Sequence, residues 1–174
     1  MAVSEPPLAP PADPPGRDGP PGRMQATHLL VRAGEYVCAL PLHAVRQVLR
    51  SLPLHPLPGS APELRGLAEF AGDPLPVLDL ARLARAPQGA NPTFPVTVVA
   101  WAGPPGAREL VGLAADAALD VAYLPAAAIV AAAGGPGGPG APGAGGDGGL
   151  IAGDAWLAGQ LVRVIDLQQL GQGS

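Results

Sequence analysis

A short segment occurs twice in this 174-residue chain, and the recurrence restricts its architecture more than any other feature. Residues 71–83 read AGDPLPVLDLARL, and residues 158–170 read AGQLVRVIDLQQL. Without a gap, Gly72 aligns with Gly159, Leu75 with Val162, Val77 with Val164, Leu78 with Ile165, Asp79 with Asp166, Leu80 with Leu167 and Leu83 with Leu170. Apolar residues alternate, as on a strand with one buried face, and an Asp then closes the run. A looser match precedes each copy: EYVCALPLHAV resembles ELVGLAADAAL at an offset of 74 residues. The chain is expected to hold two similar five-stranded units. Each has about 65 residues, marginal for an independent fold, so the two should share a core and behave as one domain.

The units do not fill the chain. Residues 1–26 are rich in paired prolines, which fix φ and remove donors, and contain too little apolar surface to offset ordering entropy; the segment is expected to be disordered. Such a segment can also serve as an extended proline-rich ligand. Residues 134–149, GGPGGPGAPGAGGDGG, read as a flexible insert that lacks the Gly-Lys-Ser/Thr ending of a phosphate loop. About 130 residues remain, an ordinary single-domain size.

Strands are expected at THLLVR and YVCAL, joined by a tight turn at Ala33-Gly34-Glu35. After Pro41, LHAVRQVLR fits a short helical turn running into a third strand, and DAALDVAYL parallels it in the second half. SLPLHPLPG reads as a proline-rich loop. VTVVAWA and LVGLAA read as a second strand pair around the turn GPPGA, and LIAGDAWLAG and QLVRVIDL as the closing strands.

Charge and composition exclude several function classes. Ten basic residues, all Arg, face fourteen acidic ones for a formal net charge of -4, and the arginines form no basic stripe, so nucleic acid is not an expected partner. The longest uncharged run turns into Gly and Pro near Ala133, which gives no membrane span, and no secretory signal opens the chain. A single cysteine, Cys38, permits no internal disulfide and suits the cytoplasm.

Candidate chemistry is thin. His28, His43, His55 and Cys38 have no zinc-type spacing, and Cys38 reads as a buried structural thiol. Ser4, Ser51, Ser60 and Ser174 lie in tails or loops without a nucleophile elbow. Asp79 and Asp166, placed alike at strand ends, read as helix caps in preference to a carboxylate dyad. Trp101 and Trp156 read as packing residues, with Trp156, which aligns with Glu69, a candidate for an exposed site near the junction of the units. No metal or cofactor is expected.

The ordered string LLVRAGEYVCALPLHAVRQVLRSLPLHPLPGSAPELRGLAEFAGDPLPVLDLARL resembles the first half of the chemotaxis coupling-protein (CheW) family. VGLAADAALDV and LVRVIDLQQL resemble its second half. The resemblance covers roughly residues 27–170. It implies a mainly β fold of two interleaved five-stranded SH3-like barrels with short helices, the first at about 27–90 and the second at about 91–171. It also implies a cytoplasmic adaptor without an active site, reaching membrane-associated arrays through its partners, which links chemoreceptor tips to a CheA-type histidine kinase. By position, the kinase-facing surface would comprise Val45, Gln47, Val48, Gly66, Glu69, Phe70, Ala71 and Gly72, and the receptor tip would lie in the groove between the barrels, where Trp156 is a candidate lining residue. The family's "N-L-R-G" is Glu69-Phe70-Ala71-Gly72 here; loss of an interface Arg removes about 2 kcal/mol, roughly thirty-fold in affinity. That departure favours a second reading, a diverged coupling domain serving another motility or regulatory pathway. A third, a β-barrel enzyme, lacks converging nucleophile, base and orienting groups.

Overall fold

The computed structural model describes residues 26–92, 95–130 and 150–170. The expected tail, except Ala26, and the Gly/Pro insert at 134–149 lie outside the described residues.

The described residues form ten strands, interrupted by four brief helical turns. The first half contains β1 (Thr27–Ala33), β2 (Tyr36–Pro41), a 3-10 turn at Leu42–Ala44, β3 (Val45–Arg50), β4 (Leu64–Phe70), β5 (Asp73–Asp79) and a one-turn helix α1 (Leu80–Leu83). The second half contains β6 (Val96–Ala102), β7 (Glu109–Ala115), β8 (Ala117–Tyr123), a 3-10 turn at Ala126–Ala128, β9 (Ile151–Leu157), β10 (Gln160–Ile165) and a 3-10 turn at Leu167–Gln169. The strands end where the repeat says they should. Asp79 accepts a hydrogen bond from the Arg82 amide at 3.2 Å, and Asp166 accepts one from Gln168 at 2.9 Å. Both carboxylates thus satisfy first-turn amides that a helix leaves open.

The ten strands form two five-stranded sheets, ordered β8-β1-β2-β10-β9 and β3-β6-β7-β5-β4. Exchanging each strand for its counterpart in the other half converts one order into the other. Each sheet therefore takes its first strand pair from one half and its remaining three strands from the other. The division near residue 90 separates the two repeats but not the two sheets. Neighbours pair antiparallel except β2 with β10 and β5 with β7, which run parallel; these two pairs, with the antiparallel pairs β1–β8 and β3–β6, are where the halves join. Among the described residues no ladder joins β8 to β9 or β3 to β4, so neither five-stranded sheet is closed by hydrogen bonds.

Three apolar clusters explain why β1, β2, β6 and β7 read as nearly continuous hydrophobic runs. One cluster fills the hollow of the first sheet, with Leu30, Val37, Ala39, Val162 and Val164. A second fills the other sheet, with Ala68, Leu75, Val77 and Val99. The largest lies between the sheets and takes the alternate residues of the same strands: Leu29, Val31, Cys38 and Leu40 from one half, Val98, Ala100, Val111 and Leu113 from the other. Strands covered on both faces lose the polar-apolar alternation of a surface sheet.

The structure shifts the looser sequence match by one residue. An offset of 74 pairs Cys38 with Gly112. In the ladders, Val164 faces Ala39 across β10 and β2, as its counterpart Val77 faces Gly112 across β5 and β7. Ala39 is thus the equivalent of Gly112, and both line sheet hollows, whereas Cys38 points into the junction. A slip of one residue exchanges the faces of a strand.

Candidate functional site

Gln47 and Val48 are exposed and Val45 half-buried on β3, an edge strand. Glu69 and Phe70 end β4, on the opposite edge, and Ala71 and Gly72 form the β4–β5 turn. Curling brings the edges together: the Arg46 guanidinium lies 5.8 Å from the centroid of the Phe70 ring. That cation–π contact fixes Arg46 over the rim. All eight residues attributed to a kinase-facing surface thus lie on the two edge strands and a turn of one sheet. Gly66, on β4, differs from the rest in being buried, with φ 148°, and a Cβ there would sit 2.5 Å from the His55 carbonyl oxygen. Its task is to let the proline-rich loop cross β4, where His55 makes a two-residue bridge with Leu67.

The second half builds the equivalent surface from different chemistry. The β1–β8 and β3–β6 ladders place Arg46, Val48 and Arg50 opposite Leu119, Val121 and Tyr123 in the pseudo-twofold correspondence. Trp156, 69% exposed, takes the place of Glu69, and exposed Leu161, directly across the ladder from it, takes the place of Pro74. Val130, exposed and bridged to Asp154, takes the place of His55. One unit therefore shows an arginine-bearing surface, the other an apolar one.

A groove of about 470 Å³ opens where the sheets meet. Trp101, 38% exposed, and Tyr123, 53% exposed, line it with Pro41, His43 and Asp166. The sequence marks Trp156 as a candidate groove residue; the residues lining this groove include Trp101 and not Trp156, and Trp101 is not enclosed by packing. The signal was present, since Trp101 is the last but one residue of β6, where the apolar run meets the Gly103 turn. His28 lies 5% exposed beneath the groove, its Nδ1 3.0 Å from the Ala26 carbonyl oxygen, so the neutral ring donates from Nδ1 and leaves Nε2 as an acceptor. Burial pushes its pKa down against the opposing pull of that carbonyl, and desolvation followed by the Arg108 charge lowers His43.

Little else in the arrangement suits bond chemistry. Among the described residues no three His, Cys, Asp or Glu side chains converge to hold a metal ion. Cys38 is buried, and desolvation pushes its thiol pKa up to about 12, opposite to what a nucleophile needs. Asp79 and Asp166 are engaged as caps. Among the described residues no helix is long and apolar enough to cross a membrane.

Comparison with known proteins gives one family and one fold. The family model described as "CheW-like domain" matches residues 27–173. Among solved structures, the scaffolding protein CheW of Thermoanaerobacter tengcongensis is similar with a TM-score of 0.65 and 18% identity, over 85% of this chain and 93% of that one. No curated protein matches.

Proposed function

The chain belongs to the CheW-like domain family, and from that premise we propose that it is a non-catalytic cytoplasmic adaptor coupling chemoreceptors to a CheA-type histidine kinase. The observation that carries the reading is the inequality of the two equivalent surfaces. A twofold-repeated body with identical faces would bind one kind of partner twice. Here Arg46, Val48, Arg50, Glu69 and Phe70 make one face, and Leu119, Val121, Tyr123, Trp156 and Leu161 make its counterpart. Two faces of unlike chemistry on one shared core suit simultaneous occupancy by unlike partners. The kinase takes the first face, the receptor's helical hairpin takes the groove between the sheets, which the second face adjoins at Tyr123, and a rigid junction passes receptor conformation to the kinase. Each contact would bury about 800 Å² per partner. Co-purification with a cognate CheA and a receptor-tip fragment tests the reading: a ternary complex supports it, and binding to neither overturns it.

Glu69 and Ala71 favour a second reading, a coupling domain retuned for another pathway. Ala71 occupies the β4–β5 turn at one end of the first face and offers no charge, while Glu69 adds a negative one. On this reading kinase binding is weak and improves in Ala71→Arg.

A further inference from the structure

The groove beside Trp101 begins where the proline-rich segment ends. Ala26 lines it, and the Ala26 carbonyl accepts a hydrogen bond from the Leu124 amide at 2.7 Å. Thr27 then pairs with Tyr123 in the β1–β8 ladder. Residues 1–25 are therefore tethered to the groove's rim through Ala26. They contain the proline pairs 6–7, 10–11, 14–15 and 20–21. A chain of this kind is already extended, so it loses little freedom on binding, and its carbonyls are open to donors. The groove supplies what such a chain needs: the exposed rings of Trp101 and Tyr123, their indole N–H and hydroxyl, and the Arg108 guanidinium. Proline-rich segments bind aromatic-lined grooves through these groups. Tethering raises the local concentration of such a segment to the millimolar range, so even weak contacts suffice.

We propose that the proline-rich segment 1–25 is an intramolecular ligand of this groove, competing with any macromolecule that docks there. The inference rests on the groove and the tether and stands apart from the identity of the adaptor's partners.

Trp156→Phe leaves Trp101 as the sole tryptophan of the 174-residue chain. In that background the four proline pairs are replaced by Gly-Ser, and Trp101 emission and acrylamide quenching are compared with the unsubstituted segment. The proposal expects a red shift and a loss of protection from quencher on replacing the prolines, with the same change in Tyr123→Ser carrying the intact segment. Identical emission and quenching in the two chains, with unchanged circular dichroism, would overturn it. So would protection that disappears on dilution, since the occupant would then come from a second copy. Because no kinase or receptor enters the measurement, failure here leaves the adaptor reading untouched, and failure of the adaptor reading leaves this result interpretable.

Discussion

Arg163, on β10 of the second half, donates from Nη1 to the carbonyl oxygen of Ala84, just beyond α1 of the first half, at 2.9 Å. The same guanidinium pairs with Asp154 across the β9–β10 ladder at 3.0 Å and lies 4.8 Å from the centroid of the Tyr36 ring on β2. One side chain thereby ties together both halves and both sheets. Its first-half counterpart is Pro76, which can do none of this, so the junction has one such tie and not a symmetric pair.

The partly buried position makes that tie worth more than a surface ion pair. Hydrogen bonds to charged groups contribute about 1.5–3 kcal/mol, and the planar fork is what reaches three partners. Arg163→Ala is expected to destabilise the fold by about that amount, with Arg163→Lys recovering less than half. Urea denaturation measures both: the midpoint should fall while the slope stays constant.

Gly153 and Gly66 are equivalent in the repeat, and each is crowded by the main chain of the residue bridged to its neighbour, Val130 and His55 respectively. A backbone carbonyl cannot swing aside as a side chain does. Gly153→Ala and Gly66→Ala are each expected to cost about 1–3 kcal/mol, as overpacking does. Gly66→Ala should cost the more, since its φ of 148° also disfavours a side chain. Paired melts of the two variants check the order. Equal stability to the parent would mean that neither loop crosses its strand so closely.

How much of this was legible in the sequence depends on how each strand is covered. β5 and β10 alternate and end on Asp79 and Asp166, so the repeat fixed both their register and the caps. β2 and β7 are covered on both faces, so nothing in YVCAL or LVGLAA alternates strongly enough to set a register, and the match slipped from Ala39 to Cys38. The exchange of strands between sheets depends on parallel contacts between β2 and β10, distant in sequence and unmarked by any local signal. Edge strands fared better for surfaces than for single roles. Gln47 and Val48 lie exposed on β3, whereas Gly66, marked by its place in a family pattern, proved to be a point of close backbone approach.

The β4–β5 and β9–β10 hairpins turn on Ala71-Gly72 and Ala158-Gly159, with all four residues at positive φ. This is the pattern of a type I′ turn, whose first position favours Asn, Asp or Gly. Alanine there is strained. Ala71→Asn and Ala158→Asn are each expected to stabilise by about 0.5–1 kcal/mol, raising the melting temperature by a few degrees. Because the turns are far apart in sequence and lie on different sheets, the double variant should show the sum of the two gains; a loss in either would show that its alanine is not left-handed.

The remaining prediction concerns acid. Desolvation holds the His28 pKa below its ordinary value of 6.5, and the neighbouring His43 acts in the same direction. As pH falls, the unfolded chain therefore takes up this proton before the folded one does. The stability conferred by the neutral buried ring is fully present above the unfolded value. It declines as pH drops through about 6.5 toward the lower folded value, at no more than about 1.4 kcal/mol per pH unit for one proton. His28→Gln keeps a side-chain donor for the Ala26 carbonyl but removes the titration. Denaturation midpoints between pH 7.5 and pH 5 should slope downward in the parent and less steeply in this variant, where His43, whose pKa is also lowered, keeps the remaining slope. An unchanged slope would place the acid sensitivity in other groups and would mean that the His28 ring sits in water and not beneath the groove.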